Sequence, residues 1–129
     1  MTDVNGGQIP KKTLIVGGAG YIGSVLAQRL LSSGRGVRIL DNLTWQNGNS
    51  LIGVADSPNF EFFRGDMRDR EEIREALQGV DAVVLLAGLV GDPITKKYPE
   101  QAIQVNVDGV RATIEESLEA QVERLGFIS

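Results

Sequence analysis

The residues whose type and spacing most directly imply chemistry are three glycines in the run Gly17-Gly18-Ala19-Gly20-Tyr21-Ile22-Gly23, spaced G-x-x-G-x-x-G. That chemistry is anion binding. Thr13-Leu14-Ile15-Val16 ahead of the run reads as a buried strand, and Ile22, Val25, Leu26, Leu30 and Leu31 after it recur at helical spacing. A glycine turn between strand and helix lets the backbone approach a diphosphate, and the helix start aims unpaired N–H groups at it. Gly17, Gly20 and Gly23 form the expected cradle, with Tyr21 and Ile22 offering backbone N–H groups while their side chains pack. A turn with no ligand is the simpler alternative, and the strand–turn–helix context disfavours it.

Asp41 ends the second predicted strand, eighteen positions after Gly23. A carboxylate there accepts hydrogen bonds from both ribose hydroxyls of an adenosine and repels a 2′-phosphate, so NAD is expected over NADP. The alternative is a surface Asp opening a turn with Asn42. Arg38 lies on the strand itself and is badly placed to reverse that choice.

The rest of the chain must position these groups. Its 129 residues carry 13 basic and 17 acidic side chains, a net charge of −4, with neither cysteine nor histidine. That balance speaks against a nucleic-acid surface, and the missing residue types exclude disulfides, thiol chemistry and imidazole catalysis. With no apolar run of the ~18–20 residues that span a bilayer, the expectation is a cytoplasmic protein that meets no membrane.

Residues 1–11 read as a polar tail ahead of one domain over 12–129. Strands are expected at Lys12 to Val16, Val37 to Leu40, Phe60 to Phe63, Ala82 to Leu86 and from Arg124 on. Helices are expected from Tyr21 to Ser33, from an N-cap at Asp69 (with Glu72 three residues on) to Gln78, and from Glu100 to about Ala120. In the last of these Ile103, Val107, Val110, Ile114 and Leu118 step by three or four and are expected to face the core. A second apolar face on the same helix could pair two subunits into a homodimer. Residues 42–59 and 87–99 read as long loops. Strands alternating with crossover helices predict an α/β doubly wound parallel sheet of about five strands.

Taken in order, GGAGYIGS (17–24), Asp41-Asn42-Leu43, Gly65-Asp66-Met67-Arg68-Asp69, DAVVLLAG (81–88), Asn106-Val107 and Phe127-Ile128-Ser129 resemble the extended short-chain dehydrogenase/reductase family. This is the NAD-dependent epimerase/dehydratase group, many of whose members act on nucleotide sugars. G-x-x-G-x-x-G is that family's own spacing. The resemblance implies a Rossmann-type fold, an Asp41-Asn42 contact to ribose, and an adenine contact from the Asp66 side chain and the Met67 backbone. It further implies that Leu86, Ala87 and Gly88 lie against cofactor and substrate, and that Asn106 supports the site through hydrogen bonds. Without the resemblance, Asp66 reads equally well as an acid flanking a helix in a charge-rich run. Asp92 is open between a turn residue and a substrate contact. Family members often carry His at the position of Leu85 and Ala at that of Gly88, which leaves the subgroup open.

The family's catalytic pair is Tyr-x-x-x-Lys on a further helix. Tyr21 lies in the glycine turn, and Tyr98 is followed four residues later by Ala102, so neither matches and no catalytic residue is assigned, Ser129 included. The expectation is therefore the NAD-binding portion of a nucleotide-sugar epimerase, dehydratase or related sugar dehydrogenase, truncated before its catalytic helix and substrate domain. The rival is a stand-alone dinucleotide-binding sensor or scaffold. A sheet cut short in this way is also expected to expose apolar surface.

Overall fold

A computed structural model describes residues 11–17, 21–41, 56–86 and 99–127, the side chains of Tyr21 and 99–106 excepted. The elements are β1 (Lys12–Val16), α1 (Tyr21–Ser32), β2 (Gly36–Asp41), β3 (Phe60–Arg64), α2 (Arg70–Leu77), β4 (Ala82–Leu85), α3 (Pro99–Glu119) and β5 (Arg124–Phe127). Every boundary falls within one residue of its expectation, β2 beginning at Gly36 and ending at Asp41.

The strands form one sheet in the order β3-β2-β1-β4-β5, parallel throughout. Side chains alternate across it. On one face Leu14, Val16, Leu40, Val83 and Leu85 pack under α2 (Ile73, Ala76, Leu77) and α3 (Ala112). On the other, Ile15, Val37 and Ile39 pack under Ala27, Leu26, Leu30 and Leu31 of α1. β4 is buried only at Val83 and Leu85; Ala82 and Val84 are half-buried, because α1 lies over β1 and β2. β5 is exposed along its length, Leu125 and Phe127 included, so the expected apolar exposure is met at this edge.

The expectation for α3 is overturned at Val107 and Leu118 and met at Val110, which packs against the core; the Ile103 side chain lies outside the described residues. Val107 is 45% exposed and Leu118 66%, whereas Gly109, Ala112, Thr113, Glu116 and Ser117 are buried. Val107 and Leu118 turn outward, while Val110 and Ile114 are half-buried. Val107, Val110 and Ile114 line a groove flanked by Arg111 and Glu115.

Charge is gathered at the amino edge of the sheet and between the helices. Buried Arg38 donates to the carbonyls of Ala76 and Gln78, each at 2.7 Å, to Glu61 at 2.9 Å, and lies 4.8 Å from the centre of the Phe63 ring. Lys12 meets the same Glu61 carboxylate at 2.6 Å. Arg35 joins Asp81 at 2.6 Å and Thr13 Oγ1 at 2.9 Å. Between α2 and α3, Arg74 and Arg70 hold buried Glu116 at 2.8 and 3.2 Å.

Hydrogen bonds from Arg74, then Arg70, keep the Glu116 carboxyl below its ordinary value of 4.5, and Lys12, then Arg38, do the same for Glu61 against some opposing desolvation. The unfolded chain binds these protons more readily. The stabilisation is therefore complete above the unfolded value and is lost as pH falls through the lower folded values. Thermal melts should hold level from neutrality to about pH 5 and decline below it. Glu116→Gln should melt lower near neutrality and decline less steeply in acid; an unchanged acid slope would assign the effect elsewhere.

Candidate functional site

Because all strands run the same way, their carboxyl ends line one edge in the order β3, β2, β1, β4. The residues that follow are Gly65-Asp66-Met67, Asp41, Gly17 and Leu86. Three backbone bonds tie these ends together: Gly17 N–H to Leu40 O at 2.7 Å, Gly65 N–H to Asp41 O at 3.1 Å, and Leu86 N–H to Val16 O at 2.9 Å. The strand order reverses between β1 and β4, the position at which open α/β sheets bind ligands. Strand spacing places the end of β3 roughly 10 Å from that of β1, the scale of a nucleotide half.

Gly17 has φ 81°, the left-handed region, as it turns the chain off β1. Tyr21, Ile22 and Gly23 form the first turn of α1, and Gly23 is buried there. The Ile22 side chain is 60% exposed, so the expectation that it packs is corrected; at this position the helix start faces away from the sheet. Asp41 is the last residue of β2, half-buried, in register with Arg64 of β3.

Asp66 is tightly held. Arg68 donates to its carboxylate from Nη2 at 2.8 Å, from Nε at 3.2 and 3.3 Å, and from its backbone N–H at 2.8 Å. These bonds, the side-chain one first, hold the Asp66 carboxyl below its ordinary value, so it is an acceptor at neutral pH. The backbone N–H of Asp66 donates to Glu72 Oε1 at 2.8 Å. Asp69 caps α2 as expected, accepting from Glu71 and Glu72 N–H at 3.0 and 3.4 Å. Glu72 does not close the reciprocal box on Asp69, whose N–H goes to Asp66 O instead. The Met67 side chain packs against the core under α2 and α3.

The structure thus brings Gly17, Tyr21, Ile22, Gly23, Asp41, Asp66, Met67 and Leu86 to one edge. Asn106 lies within α3. Gly20, Asn42, Ala87, Gly88 and Asp92 lie outside the described residues. Sequence reasoning missed Glu72 as the tie on Asp66; its spacing from Asp69 was visible, but the target lies in the preceding turn. It also missed Gly109, whose only signal is a glycine inside an otherwise regular helix. Among the described residues no acidic cluster could hold a metal ion, and no helix is long and apolar enough to cross a membrane.

A family model, NAD dependent epimerase/dehydratase family, matches residues 13–129. A UDP-glucose 4-epimerase of Streptomyces lividans is 38% identical over 92% of this chain and 35% of its own length. An epimerase from Methanothermobacter thermautotrophicus superposes with a TM-score of 0.82 at 31% identity, over 92% of this chain and 34% of that one. A dTDP-glucose 4,6-dehydratase from Streptomyces venezuelae, solved with NAD bound, gives a TM-score of 0.81 at 30% identity, over 88% and 38%. The chain therefore spans about a third of the length of the relatives it matches.

Gly17→Ala should cost about 1–2 kcal/mol in urea unfolding, the penalty for a side chain in the left-handed region, and should also weaken NAD binding. Gly34→Ala, at φ 94° with open space around it and far from the carboxyl edge, should cost stability alone. Equal loss of NAD affinity in both variants would separate Gly17 from the site.

Proposed function

The chain belongs to the NAD dependent epimerase/dehydratase family, and we propose that it is the NAD-binding portion of a nucleotide-sugar epimerase or dehydratase. The observation that carries this reading is the alignment of Gly17, Asp41 and Asp66 along the carboxyl edge of one sheet, in the order that an extended dinucleotide needs. The residues present fit the cofactor. A left-handed glycine leads from β1 into a helix, and two carboxylates end the neighbouring strands.

In this reading the diphosphate lies over Gly17, Gly20 and Gly23 and takes N–H groups from Tyr21 and Ile22. Asp41 and Asn42 hold the adenosine ribose. Asp66 and the Met67 backbone hold adenine. Leu86, Ala87 and Gly88 form the floor beside the nicotinamide half, and Asn106 braces that end through hydrogen bonds. NAD, when bound, supplies a hydride acceptor for a sugar carbon. The domain is 12–129, the tail 1–11, and the setting the cytoplasm. The relatives named above bear UDP-glucose and dTDP-glucose in their names, which supports a nucleotide sugar as the substrate class. The rival reading, a dinucleotide-binding sensor, is separated by the coding sequence beyond Ser129: a Tyr-x-x-x-Lys some twenty-odd residues on supports the enzyme, and its absence supports the sensor.

The outward groove on α3 supports a homodimer. Its branched residues are flanked by Arg111 and Glu115, charges that a two-fold copy would set opposite each other.

Titration calorimetry should show NAD bound more tightly than NADP, and Asp41→Ala should shrink that preference by tenfold or more, about 1.4 kcal/mol. NADP binding more tightly than NAD in the unaltered chain would overturn the ribose assignment. In sedimentation velocity the chain should run as a dimer and Val107→Asp as a monomer with an unchanged melt; a dimer that persists would move the interface off this groove.

A further inference from the structure

Gly109 lies in the middle of α3, on the buried face. A Cβ built on it would collide with Met67 Cε and would stand 2.7 Å from Met67 Cγ and 3.0 Å from Sδ. The Met67 side chain therefore lies across bare helix backbone, in a seat that alanine would fill. A helix interior gives no reason of its own for glycine, since glycine weakens a helix relative to alanine. Close approach by another chain segment does give one.

The segment that approaches is the turn after β3. Among the contacts that fix that turn are three that bear on Asp66 and Met67: Glu72 Oε1 on the Asp66 N–H at 2.8 Å, the Arg68 guanidinium on the Asp66 carboxylate at 2.8 Å, and Met67 in the Gly109 seat. The first two act within the turn and the start of α2. The third refers the turn to a different helix. Together with the Gly65 N–H bond to Asp41 O and the attraction between Arg68 and Asp108, it helps set where Asp66 and the Met67 backbone stand relative to the rest of the sheet edge.

We propose that Gly109 is a positioning residue for purine selection: by seating Met67 it places the Asp66 carboxylate to accept from the 6-amino group of adenine. The inference rests on the adenine reading of Asp66 and Met67. An ionised carboxylate only accepts, so a correctly placed Asp66 favours an amino group and disfavours a carbonyl at that position.

The probe is the pair NAD and nicotinamide hypoxanthine dinucleotide, which differ at purine position 6. The unaltered chain should prefer NAD by roughly tenfold or more. Gly109→Ala should bring the preference to within about twofold, and Met67→Ala should lower it in part. In the double variant, Gly109→Ala should add nothing to Met67→Ala, because the collision is gone. The chain holds two methionines, Met1 and Met67, so methyl-13C-methionine labelling gives two resonances. The Met67 methyl should shift on addition of AMP, and in Gly109→Ala it should move toward the position of a methionine methyl in an unfolded peptide without any ligand.

A Gly109→Ala chain that keeps both the preference and the Met67 resonance overturns the proposal and leaves the cofactor reading intact. Additive losses in the double variant overturn it as well. An unaltered chain that binds NAD without preferring it overturns the adenine reading and the proposal with it. A Gly109→Ala chain that loses its cooperative melt and regains it in the double variant supports the seat, and one that stays unfolded overturns it.

Discussion

The parallel register of the five strands is the constraint on which the rest depends. Once β1 pairs with β2 on one side and β4 on the other, every strand delivers its carboxyl end to the same edge. Backbone bonds from Gly17, Gly65 and Leu86 then fix how far each exit lies from the next. Several of the candidate residues stand at or just after strand ends, and the strands are held by burial of Leu14, Ile15, Ile39, Leu40 and Leu85. The opposite edge carries the ion pairs of Lys12, Arg35 and Arg38.

Much of this was legible in the sequence because the signals are local. Runs such as Thr13-Leu14-Ile15-Val16 and Ala82-Val83-Val84-Leu85 are short, apolar and bounded by glycine or charge, which is what a buried parallel strand requires. Asp69 capped its helix as its type and position implied. Arg38 was legible only in part. Its place on a strand was clear, but the carbonyls that hold it, at Ala76 and Gln78, belong to the end of a helix forty residues away, and nothing near Arg38 announces them.

The third helix shows why periodicity alone misleads. Val107, Val110, Ile114 and Leu118 repeat as a core stripe should, yet Val107 and Leu118 are exposed, and the buried positions are Gly109, Ala112, Thr113, Glu116 and Ser117. Hydrophobic spacing reports that a face is to be covered; it does not report by what. Here small residues make most of the buried face, and a buried carboxylate is tolerated because Arg70 and Arg74 meet it.

The central place of β1 has a consequence for how the chain assembles. Lys12 finds its partner at Gly36 early in synthesis, but on the other side Thr13 has no neighbour until Ala82 has been made. During that interval the β4-facing edge of β1 is an open strand edge, and one face of Leu14 and Val16 lacks the cover that α3 and β4 later give it. The bond from Leu86 to Val16 closes that gap and completes the glycine turn's surroundings in the same step. The first strand in the order of the sequence thus gains its second neighbour only when the fourth has been made.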